Sequence, residues 1–214
     1  MTSRQHERPV IFDLDGTLVD SAPGIVASLR HAFSACGIAL PATDWCRLIG
    51  PPLPRMLDAA VPGLDPQHKH ALIAAYRDHY ARVGLFESVA YPGIPEAVTA
   101  IARAGRRIYV VTNKPQRPAE TVMGHVALNA HVTKIVGGDP TGRISKPERA
   151  AALAREEHLD DSVFLGDGMD DLHAAEKIGA RFFLAGWGYG AARVLAARPE
   201  VTVLHQPSDL LPLL

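Results

Sequence analysis

The segment VIFDLDGTLVDS, Val10 to Ser21, places two acids directly after a short apolar run. Val10–Phe12 has the composition of a buried strand, and Asp13 and Asp15 follow it with one leucine between them. Because side chains alternate along an extended chain, both acids face the same side. A solvated Asp-Gly turn is the simplest explanation of such a pair. Its meaning therefore depends on which residues the rest of the chain places beside it.

The overall composition is typical of a soluble globular protein. The chain has 214 residues, of which 47% are hydrophobic and 21% charged, and its formal net charge is −1. This charge gives no surface for nucleic acid or an anionic membrane, and we expect neither as a partner. Two cysteines are too few for a disulfide framework, and the N-terminus lacks the apolar stretch of a signal peptide, so we expect a cytoplasmic location. Nothing in the composition indicates an oligomeric state.

Beyond Tyr91 the sequence alternates short β-rich runs with amphipathic stretches. This alternation is typical of a parallel sheet with helices on both faces. Gly105 and Gly179 mark the expected ends of two of the helices. Together with Val10–Phe12, the predicted strands are Arg107–Thr112, Lys134–Val136, Ser162–Leu165, Arg181–Leu184 and Val201–Leu204.

The stretch from Leu18 to Ser88 has a different pattern, with apolar residues at helical spacing and no candidate strand. Ser21 is predicted to cap one of its helices, and Asp65-Pro66 is predicted to start another. We therefore predict an α/β protein with a Rossmann-like parallel sheet core, residues 1–17 and 88–214, and an inserted all-helical cap domain, residues 18–87. The two connections between these parts are candidate hinges.

Polar side chains follow three of the predicted strands, and a lysine precedes the helix that leads to one of them. Ligands of open parallel sheets gather beyond the carboxyl ends of the strands, so these side chains are expected to converge. The set comprises Asp13, Asp15, Thr112, Asn113, Lys146, Asp167 and Asp171.

This combination of residue types favours phosphate chemistry. Several carboxylates repel one another unless a cation lies among them, and hard oxygen ligands suit Mg²⁺. A lysine with a hydroxyl and amide pair can bind a group that carries many anionic oxygens. One acid can then attack phosphorus while a second protonates the leaving oxygen. The two acids of the opening segment are predicted to divide these tasks.

The motifs DLDGTLVDS, VVTNKP, SKPE and FLGDGMDD, in this order, resemble those of the haloacid dehalogenase superfamily in its phosphatase branch. The similarity extends from Val10 to about Gly190, and the helical insert resembles the small cap of that family. FDLDGTLVDSAPG, VGGD and DLLPLL are similar to phosphoglycolate phosphatases, whereas LIGPPL and GWGYG are similar to 5′-nucleotidase-type members. The resemblance implies a Mg²⁺-dependent phosphomonoester hydrolase that acts on a small phosphorylated metabolite.

The resemblance also implies a role for each motif residue. Asp13 would be the nucleophile that forms an aspartyl-phosphate, and Asp15 would be the acid for the leaving alcohol and then the base for water. Thr112 and Asn113 would bind phosphate oxygens, and Lys146 would neutralise both nucleophile and phosphate. The Mg²⁺ ligands would be Asp13, the main-chain carbonyl of Asp15, Asp167 and Asp171.

Five neighbouring residues have both a structural and a functional interpretation. Asp170 is interpreted as an acid at a helix start, where it suits the helix dipole. Lys114 is interpreted as a residue at the start of the next helix and not as a ligand. Arg55 of the cap is a candidate for substrate binding, with a solvated surface position as the alternative. Trp187 and Tyr189 are interpreted as loop-packing residues.

Other functions remain open at this point. A 5′-nucleotidase or a pyrophosphatase of the same superfamily is an alternative to a phosphoglycolate phosphatase. A phosphomutase would use the same site but rearrange its substrate. A phospho-receiver domain also combines clustered acids with a threonine and a lysine on a parallel sheet, but it needs neither a cap nor an acid for a leaving group.

Overall fold

A computed structural model describes residues 8–139 and 143–213 of the chain. It contains strands β1 Val10–Phe12, β2 Val19–Asp20, β3 Val89–Ala90, β4 Ile108–Pro115, β5 Lys134–Gly138, β6 Val163–Gly166, β7 Arg181–Ala185 and β8 Thr202–Leu204. Six of these strands form one sheet in the order β5-β4-β1-β6-β7-β8, and every pairing in it is parallel. The predicted fold class, with a parallel sheet core, is confirmed.

The helices divide between the sheet and the inserted block. Those around the sheet are α4 Ile94–Arg103, α5 Gln116–His125, α6 Lys146–Glu157, α7 Met169–Ile178 and α8 Ala191–Ala197. Those of the inserted block are α1 Ala22–Ala35, α2 Leu53–Ala60 and α3 Pro66–Arg82. Short 3₁₀ helices span Trp45–Leu48, Gly84–Glu87, Asn129–His131 and Pro207–Leu213. Within the described ranges, none of the helices has the length and apolar character needed to cross a membrane.

The central strand β1 is apolar on both faces because the sheet is covered on both sides. Val10, Ile11 and Phe12 are all buried, and β1 pairs with β4 on one side and β6 on the other. Asp13 follows β1 directly and donates its backbone N–H to the carbonyl of Leu165 over 2.9 Å. The first acid therefore lies at the centre of the sheet, at its carboxyl edge.

Strand β4 is longer than the sequence indicates and continues past Thr112 to Pro115. Lys114 consequently lies inside a strand, and its side chain is buried. Lys114 directly precedes Pro115, the cap residue of α5, so its interpretation as a helix-entry residue holds for the backbone but omits the buried side chain. The pattern was misleading about the length of β4 because a threonine, an asparagine and a lysine end the apolar run before the strand itself ends.

The connections to the helical block also differ from expectation in one respect. Strands β2 and β3 pair antiparallel, with Val19 opposite Ala90 and Asp20 opposite Val89, although no strand is predicted between Leu18 and Ser88. A two-residue strand is too short to show a hydrophobic period, and only its partner defines it. The pair links the two connections, while the domain limits 18–87 remain a prediction.

The two predicted helix starts have different outcomes. Helix α3 begins at Pro66 as predicted, and the Asp65 carboxylate caps it by accepting hydrogen bonds from the backbone N–H groups of Gln67 and His68. Ser21 occupies the cap position of α1, but its hydroxyl makes no capping hydrogen bond there. It donates instead to Asp15. The Ser21 hydroxyl therefore holds the Asp15 carboxylate and does not cap α1.

Helix α1 and the 3₁₀ helix Gly84–Glu87 approach each other through glycine. A Cβ atom on Gly24 would lie 2.0 Å from the carbonyl oxygen of Gly84, a distance that no side chain tolerates. Nearby, the Ser28 hydroxyl donates to the carbonyl of Gly24 over 2.7 Å. The close packing of the helical block thus depends on the missing side chain at Gly24.

We expect Gly24→Ala to lower the free energy of unfolding by about 1–3 kcal/mol, because overpacking against backbone exceeds the gain in helix propensity. Urea denaturation followed by circular dichroism measures this change. Gly124→Ala is the matched control, since Gly124 lies in α5 and a Cβ atom there would have no neighbour within 4 Å, and it should be neutral or stabilising by up to about 1 kcal/mol. Equal effects of the two substitutions would contradict the packing argument.

Candidate active site

The SKPE motif forms the start of helix α6 and positions its lysine. Ser145 and Glu148 make a reciprocal capping box, in which the Glu148 carboxylate accepts the backbone N–H of Ser145 over 2.7 Å. Lys146 and Pro147 follow as the first helical residues. The Lys146 side chain is 2% exposed, so its ammonium group is directed into the protein rather than into solvent.

Lys146 lies between two of the predicted acids. Its Nζ donates to Asp13 Oδ1 over 2.6 Å and also to Asp171 Oδ1. The other oxygen of Asp171 accepts the backbone N–H of Gly168 over 2.8 Å, which fixes the start of α7. One ammonium group thus connects the end of β1 to the first turn of α7.

The third acid, Asp167, is held by the main chain of a glycine-rich loop. Its Oδ2 accepts the backbone N–H of Gly190 over 2.8 Å, and its Oδ1 lies 3.4 Å from the donor hydroxyl of Thr17. A Cβ atom on Gly188 would lie 2.1 Å from the Cβ of Asp167. The acid is therefore in direct contact with backbone, and a larger residue at 188 would displace it.

Asp13, Asp167 and Asp171 form a buried carboxylate cluster whose oxygens lie within 4.8 Å of one another. Burial and the neighbouring Asp171 raise the pKa of Asp13, and the same two causes raise the pKa of Asp167 to about 7. Burial lowers the pKa of Lys146, but Asp13 and Asp171 raise it more, so the lysine stays charged. Three carboxylates against one ammonium, with oxygen as the donor atom, fit a hard divalent cation such as Mg²⁺.

Asp15 is held outside this cluster. Its Oδ1 accepts hydrogen bonds from Ser21 Oγ and from Lys114 Nζ, each over 2.6 Å. The Lys114 side chain is 4% exposed, and its ammonium lies 5.0 Å from the centre of the Tyr80 ring in α3. Burial lowers the pKa of Lys114, but the Asp15 carboxylate raises it more. Sequence reasoning missed this ion pair, for which a lysine inside the VTNKP motif was the available signal.

Asn113 bridges the core and the inserted block. Its Nδ2 donates to the carbonyl of Gly50 over 3.0 Å and to Asp170 Oδ2 over 2.8 Å, while its Oδ1 accepts from Arg149 over 2.9 Å. Asp170 therefore does more than begin a helix. The adjacent Thr112 is buried, and its Oγ1 accepts the backbone N–H of Lys114 over 3.1 Å.

The GWGYG loop packs against the first connection to the helical block. Trp187 Nε1 donates to the carbonyl of Thr17 over 3.1 Å. The Tyr189 hydroxyl donates to Asp20 Oδ1 and accepts the backbone N–H of Ser21. The interpretation of both aromatic residues as packing residues agrees with these contacts.

A cavity with about 450 Å³ of empty space, part of it open to solvent, borders the carboxylate cluster. Residues Ile49, Gly50 and Pro51 of the inserted block also line it. Arg193 of α8 contributes an exposed guanidinium that sequence reasoning missed. Asp15, Thr112 and Arg55 do not line the cavity, and Arg55 is exposed on α2. Of the predicted residues, those that line it are Asp13, Asn113, Lys146, Asp167 and Asp171.

The buried acids predict how the stability of the metal-free protein depends on pH. The folded protein retains the Asp167 proton up to a pKa of about 7, whereas the unfolded chain releases it near 3.8. The unfolded state then binds fewer protons between these values, so the free energy of unfolding should fall as pH rises through this window. The raised pKa of Asp13 acts in the same direction.

Urea denaturation in EDTA at about pH 5 and about pH 7.5 measures this effect, and the midpoint should be higher at the lower pH. Saturating Mg²⁺ should reduce the difference because the ion stabilises the ionised carboxylates. Asp167→Asn, which cannot titrate, should also reduce it. A higher midpoint at about pH 7.5 in EDTA would contradict the burial argument.

Comparison with known proteins places this arrangement in a family. Haloacid dehalogenase-like hydrolases match residues 10–185. The chain is 34% identical over 205 residues to a 5′-nucleotidase of Pseudomonas aeruginosa, covering 93% of this chain and 88% of the relative. It is 32% identical over 213 residues to a phosphoglycolate phosphatase of Agrobacterium fabrum, covering 95% of this chain and 91% of the relative.

A solved structure is also similar. The Protein Tyrosine Kinase A (PtkA) structure of Mycobacterium tuberculosis superposes with a TM-score of 0.78 at 33% identity, covering 95% of this chain and 96% of that one. Its name differs from those of the phosphatases, although the fold is shared. The matched residues contain β1, β4, β6 and all three acids of the carboxylate cluster. The chain therefore belongs to the haloacid dehalogenase-like hydrolases and is a phosphatase of that family.

Proposed function

We propose that this phosphatase is a Mg²⁺-dependent phosphomonoester hydrolase that acts on a small phosphorylated metabolite through an aspartyl-phosphate, as a phosphoglycolate phosphatase does. The observation that carries the proposal is the Lys146 ammonium, which bonds to both Asp13 and Asp171 at the wall of the cavity. A nucleophilic carboxylate beside a buried cation can approach a phosphate dianion that would otherwise repel it.

Asp13, Asp167 and Asp171, with the main-chain carbonyl of Asp15, are the residues that would hold Mg²⁺. The bound ion would neutralise charge on the carboxylates and on the phosphoryl oxygens. Lys146 contributes a further fixed positive charge from the protein itself. Thr112 accepts a hydrogen bond from Lys114 N, and its hydroxyl hydrogen has no acceptor among the described residues, so it can be donated to a phosphoryl oxygen.

In the first step, an Asp13 carboxylate oxygen attacks phosphorus. The bond from phosphorus to the leaving oxygen breaks, its electron pair stays on that oxygen, and the oxygen takes a proton from Asp15. In the second step, water attacks the phosphorus of the aspartyl-phosphate and gives a proton to Asp15. The bond between Asp13 and phosphorus breaks, inorganic phosphate leaves, and both acids return to their starting states.

The cavity suggests a small leaving group. The segment Ile49–Pro51 from the inserted block lies over it, and the Asn113 amide bonds to the Gly50 carbonyl at its edge. Such a cover would exclude bulk water during transfer. Arg55, Asp15 and Thr112 do not line the cavity in this structure, so the substrate contacts proposed for these three side chains require a movement of the inserted block. A 5′-nucleotidase or pyrophosphatase activity is the alternative within this proposal.

The decisive experiment measures phosphate release in many turnovers from phosphoglycolate, nucleoside 5′-monophosphates, pyrophosphate, sugar phosphates and p-nitrophenyl phosphate. We expect Mg²⁺-dependent release, its loss in EDTA, and recovery when Mg²⁺ is restored. Asp13→Asn should reduce turnover by at least about a thousandfold on every substrate, because an amide is a poor nucleophile and a poor ligand. Circular dichroism checks that the variant remains folded.

The products separate the competing functions. A rearranged sugar phosphate without free phosphate would identify a phosphomutase, and a single stable phosphorylation of Asp13 would identify a receiver-like protein. Transfer from labelled ATP to tyrosine in the chain or in a tyrosine-containing peptide would support the activity named for the mycobacterial relative. Phosphate release by the Asp13→Asn variant at the wild-type rate would remove Asp13 from the nucleophile role.

Asp13 and Asp15 should also separate by their dependence on the leaving group. The need for a proton donor shrinks as the leaving group becomes more acidic, whereas attack by Asp13 is needed for all substrates. Asp15→Asn should therefore lose far more phosphorylation rate on an alkyl phosphate than on p-nitrophenyl phosphate. With the latter we expect a burst of nitrophenol and then slow turnover, because breakdown of the aspartyl-phosphate also needs Asp15.

Rapid-quench measurement of the burst provides the phosphorylation rate for each substrate. Equal slowing with both leaving groups would show that Asp15 acts as a structural or metal-shell residue. The proton donor would then have to be a group other than Asp15.

A further inference from the structure

We propose that Lys114 is a positioning residue for Asp15: it holds one carboxylate oxygen in place so that the other oxygen carries the proton. This inference rests on the proposed function, because it assigns a partner to the acid of that reaction. The motif VVTNKP contains Lys114, but the family resemblance assigns no role to this lysine, and its own pattern indicated a helix start. The proposal derives from the ion pair between β4 and the turn after β1.

The two donors that hold Asp15 bind the same oxygen. Ser21 Oγ and Lys114 Nζ each lie 2.6 Å from Oδ1. In the part of the chain that the structure describes, Oδ2 accepts no hydrogen bond. A carboxylic acid carries its proton on one oxygen, and an oxygen that already accepts two hydrogen bonds is the poorer place for it. The arrangement therefore selects Oδ2 for proton transfer.

Lys114 is itself well fixed, as a positioning residue must be. Its backbone lies in β4, and its N–H donates to Thr112 Oγ1 over 3.1 Å. Its side chain is 4% exposed, and its ammonium lies 5.0 Å from the Tyr80 ring centre. A lysine in solvent would lose rotamer entropy on adopting one conformation, but here the surrounding packing has already restricted it.

A separate cation for Asp15 is needed because of the neighbouring cluster. Lys146 is already bonded to Asp13 and Asp171, and a free carboxylate beside a divalent cation site would be drawn to that cation as a further ligand. Ser21 of the first connection and Lys114 of β4 hold the Asp15 side chain instead. Each acid of the DLD motif thus has its own lysine, and the two side chains are kept apart.

The test measures phosphorylation rates by rapid quench for p-nitrophenyl phosphate and for phosphoglycolate or a nucleoside monophosphate, whichever the wild-type enzyme hydrolyses faster. Lys114→Met should lower the phosphorylation rate with phosphoglycolate or the nucleoside monophosphate on the order of tenfold to a hundredfold. It should lower the rate with p-nitrophenyl phosphate by much less. Lys114→Gln, which can still donate a hydrogen bond, should recover part of the loss. A variant that merely weakened the fold would slow both substrates alike.

Ser21→Ala provides an independent test if Lys114→Met does not fold. The Ser21 hydroxyl makes no helix-capping bond, so its loss should disturb α1 little while removing the second donor to Oδ1. The same leaving-group dependence should appear, with a smaller effect. Ser28→Ala is the matched control, because Ser28 is a buried serine of the same helix that bonds to Gly24 and His79 and makes no contact with Asp15.

The double variant decides whether the two residues act together. Lys114→Met combined with Asp15→Asn should be no slower than Asp15→Asn alone, because there is no acid left to position. Additive losses, equal losses on both substrates, or a faster reaction in Lys114→Met would each overturn the proposal. If the wild-type enzyme releases no phosphate at all, the proposed function fails instead, and the two failures are distinguishable.

Discussion

The contact of the Lys146 ammonium with Asp13 and Asp171 is the interaction on which the site depends. All three side chains are almost fully buried, and a buried charge without a partner would be strongly destabilising. The lysine permits β1, β6 and the start of α7 to bring carboxylates together at one edge of the sheet. Three acids still exceed one lysine, and this excess of negative charge makes the cluster suited to a divalent cation.

Backbone groups, rather than side chains alone, complete the site. Asp167 accepts the N–H of Gly190, Asp171 accepts that of Gly168, and the absence of a side chain at Gly188 permits the loop to lie against Asp167. The same loop carries Tyr189, whose hydroxyl bonds to the first connection of the inserted block. The acid cluster and a candidate hinge are therefore attached to one short segment of chain.

Much of this arrangement could be predicted from the sequence. The strands of the sheet follow from apolar runs between helices, and the residues at their carboxyl ends follow from the geometry common to parallel sheets. Lys114 and Asp170 were interpreted too simply, because their partners are distant in the sequence. Lys114 bonds to Asp15, and Asp170 bonds to Asn113. No local pattern contains either pair.

The sequence by itself determined the fold class, the order of the motifs and the set of acids with Lys146, since these depend on hydrophobic period and on position relative to strand ends. Only the tertiary structure decided how the charges are paired. Lys146 serves Asp13, Lys114 serves Asp15, and Ser21 serves the acid instead of its helix. The physical reason is that pairing depends on distances of a few ångströms between residues far apart in the chain, and only the packed sheet and helices define those distances.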